Sequence, residues 1–163
     1  MKRKTLIIPC SGIGKTYGAV ARAGAFLVAE DLRPQSTQLV PLALVVLGDR
    51  EVQQTLAGSP AIAIDGCKLA CAAKVVAESG GTVAHAIQVL DVYRRHRELK
   101  PAGIAELNNA GQELAKALAD EVSGLVDGIA AEETNASGFS PAMHDLRGRS
   151  RVGHGCGSPR GPA

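Results

Sequence analysis

The sequence has no Trp and only two Phe and two Tyr in 163 residues. So few rings deny single-stranded nucleic acid its usual stacking platform, and they leave Ala, Val, Leu and Ile to fill the interior. An excess of one charge sign is also missing. Lys and Arg number 18 against 16 Asp and Glu. Four of the arginines (Arg147, Arg149, Arg151, Arg160) and only one acid (Asp145) follow Thr134, so the rest of the chain is near neutral and offers DNA or RNA no electrostatic footprint. Long apolar runs are absent too: "LVPLALVVL" is about half of a bilayer span and contains Pro41. "MKRK" resembles the basic start of a signal peptide, but only Leu6, Ile7 and Ile8 follow before Pro9, and no small-residue cleavage site comes after. The expectation is a cytoplasmic chain with neither nucleic acid nor membrane as partner. In a reducing compartment, Cys10, Cys67, Cys71 and Cys156 suit metal ligands, reactive thiols or small buried hydrophobes better than disulfides.

What is present is an alternation of strand and helix patterns. "KTLIIPC" reads as a buried strand over 4–9, closed by a Gly-rich turn, and 17–32 as a helix that is apolar nearly all round, with charge only at Arg22, Glu30 and Asp31. "TQLVPLALVVLGD" reads as a strand region interrupted at Pro41, "REVQQTLAG" as a helix and "AIAID" (61–65) as a short buried strand. "GCKLACAAKVVAESGG" carries helical spacing, and "VAHAIQVLDV" reads as a strand. From Pro101 onward, Ile104, Leu107, Gly111, Leu114, Leu118, Val122, Leu125 and Ile129 predict one long amphipathic helix. The order implies an α/β fold, a three-layer Rossmann-like domain with a mostly parallel sheet, over residues 1–131. Residues 132–163, rich in Gly, Ser, Pro and Arg without periodicity, read as a disordered tail.

In an open α/β sheet, ligands bind beyond the carboxyl ends of the strands. Two loops there carry cysteine: the one after "TLIIP" holds Cys10, and "DGCKLAC" after "AIAI" holds Cys67 and Cys71. If the two strands are neighbours, three thiols converge. Cys67 and Cys71 are four apart at a predicted helix start, which puts them on one face with Cβ atoms about 5–6 Å apart. Unpaired N–H groups at a helix start favour thiolate, the form that binds metal or attacks. Gly66 permits a tight turn, Asp65 can accept hydrogen bonds or support the site, and Lys15 would lower the pKa of a neighbouring thiol. Three thiolates suit tetrahedral Zn²⁺ with a fourth position open, for which Asp65, His85 and Cys156 are candidates. His96, His144 and His154 fit surface or tail roles better, and "YRRHRELK" fits a solvated connection.

A phosphate-binding loop is the rival reading. Gly14, Lys15 and Thr16 supply the second half of G-x-x-x-x-G-K-[ST] between a strand and a helix, and Asp65 could stand near Mg²⁺. The first glycine is replaced by Pro9, which has no N–H and fixes φ, so the backbone cradle for phosphate is spoiled.

With Asp65-Gly66-Cys67, Cys71 four residues later and Cys10 in a "CSG" turn after the first strand, the chain resembles the DGC-domain family, named for its Asp-Gly-Cys motif. The resemblance covers residues 4 to about 130. It implies an α/β domain with cysteine-bound metal, zinc first, in a family whose reaction is not established. Two further cysteines of the family pattern are missing, one where Ile13 stands and one near Val40 to Leu42. Three functional expectations stand side by side: a zinc-binding protein for metal handling, sensing or thiol chemistry, with a small molecule or thiol as partner; a P-loop-like nucleotide-binding protein; and a metal-free redox module using Cys67 and Cys71.

Overall fold

The computed structural model describes residues 3–138, with side chains to Thr134. Four strands, β1 (Thr5–Pro9), β2 (Thr37–Leu39), β3 (Pro60–Asp65) and β4 (Thr82–Gln88), form one sheet in the order β2-β1-β3-β4, with every pair parallel. Leu6, Ile7 and Ile8 of β1 and Ala61 to Ile64 of β3 are wholly buried. Such continuous apolar runs are what a central parallel strand with helices on both faces requires.

The helices are α1 (Thr16–Phe26), extended by a π-helical segment (Leu27–Leu32), then α2 (Leu42–Leu47), α3 (Arg50–Gly58), α4 (Cys71–Glu78), α5 (Val89–Arg95) and α6 (Asn109–Gly138). Helices α1, α5 and α6 pack together, as do α2, α3 and α4, giving a three-layer Rossmann-like α/β domain with a parallel sheet. In α6, Leu114, Leu118 and Val122 recur every four residues and are all fully buried, the spacing of one helical face.

Four boundaries differ from the sequence expectation. "LALVVL" is helix α2, not strand: Pro41 precedes its first turn and Gly48, at φ 73°, closes it in the left-handed conformation. Its apolar residues do not all seek the core, since only Val45 is buried while Val46 and Leu47 are 68 % and 76 % exposed. The run "VAHAIQVLDV" is strand only to Gln88 and then turns into α5, with Asp91 in its first turn and Arg94 and Arg95 in its last, an order that suits the helix dipole. Helix α6 starts at Asn109 rather than near Pro101, because the Asn108 side chain caps it, its Oδ1 accepting from Gly111 N at 2.9 Å and from Ala102 N at 3.0 Å. The helix continues to Gly138, so residues 132–138, where the tail is expected to begin, are helical; the rest of the expected tail, with His144, His154 and Cys156, lies outside the described residues. The fourth difference, at the start of α4, bears on the site.

Candidate thiol site at the sheet switch point

Strand order 2-1-3-4 reverses direction between β1 and β3, where the chain leaves β1 toward one face and β3 toward the other. In open α/β sheets that point of the carboxyl edge is where ligands bind. The register places Pro9 opposite Ile64, and Cys10 N donates to Ile64 O at 2.8 Å. Cys10 and the Asp65-Gly66-Cys67 turn therefore emerge side by side. Gly66 N in turn donates to Cys10 Sγ at 3.2 Å, a hydrogen bond between residues 56 apart in sequence.

The approach depends on three glycines. A Cβ on Gly12, whose φ is +58°, would lie 2.3 Å from Gly18 Cα, and one on Gly66 would lie 2.8 Å from Gly18 N. Both distances are impossible for a side chain, so the β1–α1 loop, the first turn of α1 and the turn after β3 meet backbone to backbone. The glycines around the GKT triplet thus serve this contact. Lys15 is exposed at the N-cap of α1 with no side-chain cap hydrogen bond. It is not among the groups that move the Cys10 pKa, against the expectation that it would lower it.

Helix α4 begins at Cys71, not at Gly66. Residue Ala70, at φ 52°, is the N-cap and has no side-chain oxygen to offer the first turn. Asp65 supplies it from the end of β3: Oδ1 accepts from Ala72 N at 2.8 Å and Oδ2 from Ala73 N at 3.1 Å. Asp65 is 3 % exposed and both its oxygens are engaged, so it frames the Gly66–Ala70 loop instead of standing free for Mg²⁺. Cys67 therefore sits in the loop and only Cys71 in the first turn of α4, so the two do not share a helix face. Cys10 is buried, Cys67 half-buried and Cys71 exposed, all as free thiols.

Burial pushes the Cys10 thiol above its ordinary value. The Gly66 N–H opposes that shift, while negative charge on Asp65, Cys67 and Cys71 adds to it. Asp65, Cys67 and Cys71 thus each lie within electrostatic reach of Cys10. They do not form a ready-made cage: among the described residues, no group of three or more His, Cys, Asp or Glu side chains is disposed to hold a metal ion. His85 does not complete one, since it pairs with Ile62, three residues before the edge at Asp65, or about 10 Å along the strand.

A family model described as the DGC domain matches residues 6–121. The chain belongs to the DGC-domain family. No curated protein and no solved structure matches it. Among the described residues, no helix is long and apolar enough to cross a membrane.

Membership gives meaning to a neighbouring feature. Ile13, Val40 and Leu42, at or near the positions where the DGC pattern would put further cysteines, line one cavity with Cys10. The sequence pairs Ile13 with Val40–Leu42 as positions of missing family cysteines, while Arg22 stands in it only as one of three charges, with Glu30 and Asp31, on the helix over 17–32. Arg22 lines the same cavity. The available signal was that Arg22 is the only charge on α1 between Thr16 and Phe26.

Proposed function

We propose that this DGC domain binds a thiophilic metal ion, zinc first, through Cys10, Cys67 and Cys71 where the loops after β1 and β3 meet, in an open site that assembles on the metal. The observation that carries the reading is the contact between the two cysteine loops, Gly66 N donating to Cys10 Sγ one residue before Cys67; burial first, and then negative charge on Asp65, Cys67 and Cys71, raises the proton affinity of Cys10 there. A divalent cation at that point would replace the proton and reverse the sign of the interaction. The donor set is chemically suited to zinc, which takes thiolates and keeps a fourth position for water or another ligand when the protein gives three. What zinc would supply when bound is Lewis acidity at that open position.

The chain's own residues have separate parts in this reading. Gly66 N–H favours the thiolate form of Cys10 by donating to its sulfur. Asp65 anchors the loop that carries Cys67. Cys71, exposed at the start of α4, is the donor freest to swing. Because Cys67 and Cys71 must move to meet Cys10, some binding energy is spent on ordering, which suits an exchangeable ion better than a structural one.

Zinc content of untagged protein, purified under reducing conditions, tests the reading. Stoichiometric zinc that is lost in Cys67→Ser supports it; protein that stays zinc-free after equilibration with the ion refutes it.

A further inference from the structure

A second feature adjoins the proposed metal site, since Cys10 lines it as well, but does not require the metal. Between the β1–α1 loop, α1 and the segment that follows β2 lies a cavity of about 290 Å³. Its walls include Ile13, Phe26, Leu39, Val40 and Leu42, and Arg22 is the one charged residue among those that line it. Ligand sites have this composition: a mostly apolar concavity with a few polar groups that fix orientation. No acidic residue lines the cavity, so Arg22 has no counter-ion there.

The state of Arg22 sharpens the point. Arg22 is half-buried as a residue, and its guanidinium donates from Nη1 to Ser11 O, a residue of the same cavity wall, in a solvent-exposed hydrogen bond. Among the described residues it forms no ion pair, whereas Arg3, Arg33, Arg94 and Arg95 all do. One of the five guanidinium N–H groups is therefore committed, and the rest are held near the cavity by that commitment. A cation at the rim of apolar walls attracts an anion whose body is apolar. The planar fork of N–H groups matches a carboxylate.

We infer that this cavity binds a small amphiphilic carboxylate, with its head on Arg22 and its hydrocarbon body against Ile13, Phe26, Leu39, Val40 and Leu42. At about 30 Å³ per non-hydrogen atom, the space holds roughly ten such atoms, the size of octanoate. Neither a metal nor ionised Cys10 is needed for this site.

Calorimetric titration of the full chain with octanoate tests it, with 1-octanol, octyl phosphate and acetate as comparison ligands and Arg22→Leu and Ala43→Trp as variants. Ala43 lines the same cavity but is itself exposed, so Trp can obstruct the space without disturbing the core. The expected result is saturable octanoate binding that weakens about tenfold or more in Arg22→Leu, the scale of a lost charge-assisted hydrogen bond, and that also weakens in Ala43→Trp. Octanol should bind parent and Arg22→Leu alike, and acetate should not saturate. Both variants are checked by thermal melting; if one fails to fold, methyl chemical shifts of Ile13 and Leu42 in the parent, which octanoate should move and acetate should not, decide the matter. Absence of saturable octanoate binding, equal affinity in folded Arg22→Leu, or a clear preference for octyl phosphate would overturn the assignment.

Discussion

Cys10 is 7 % exposed, and its position beside Gly66 and Asp65 has consequences that single-residue experiments can read. With Cys156 replaced by Ser to remove the distal thiol, a thiol reagent should modify exposed Cys71 first, Cys67 next and Cys10 last, a sequence that peptide mapping with time resolves. The same burial makes stability depend on alkaline pH. The Cys10 pKa in the folded chain lies above its ordinary value of 9.0, so the unfolded chain loses this proton first. The contribution is complete below pH 9.0 and declines as pH rises through the higher folded value. Denaturant titrations should therefore show the stability gap between the parent and Cys10→Ala narrowing above pH 9.0; a gap that widens there would contradict the buried, neutral thiol. Asp65 has a different task. It caps α4 at a distance in place of Ala70, so Asp65→Ala should cost about 1–2 kcal/mol, the worth of a good N-cap, and should loosen the Cys67 loop in hydrogen exchange.

At the scale of elements, the decisive contact is the meeting of the β1–α1 loop, the start of α1 and the turn after β3. Gly18→Ala would put a methyl group 2.3 Å from Gly12 Cα. Backbone on both sides cannot yield as a flexible side chain would, so the substitution should destabilise by about 2 kcal/mol or more. Gly58→Ala, with nothing within 4 Å of the added Cβ, is the matching control and should leave thermal stability nearly unchanged or slightly raised. The core strands, α1, α3 and α6 were legible because their apolar patterns have the length and period of the element they form. The six-residue α2 was not, since "LALVVL" fits a buried strand as well as a short helix, and what decides is Pro41 and Gly48 at its ends. The start of α4 misled for a related reason: helical spacing continues back through Cys67, but the cap comes from Asp65, a partner that no local pattern announces.

The whole molecule joins these scales through topology. Two cysteine loops far apart in sequence become neighbours because β1 and β3 pair in parallel at a switch point. Their convergence was readable in advance, given only that the strands are adjacent. The cavity beside them was readable only in part: the missing family cysteines mark Ile13 and Val40–Leu42, but nothing in the sequence joins Arg22 to them, since the three reach the cavity from separate segments. The central claim is that one thiophilic ion is shared by three sulfurs of these loops. It is tested most directly by titrating reduced Cys156→Ser protein with cobalt(II) and following the sulfur-to-metal charge-transfer absorption. One ion per chain should bind, with an intensity that falls by at least about a third in each of Cys10→Ser, Cys67→Ser and Cys71→Ser, whether one thiolate ligand is lost or the ion leaves with it. No charge-transfer band in the parent, or a band unchanged by any one of the three replacements, would contradict the account.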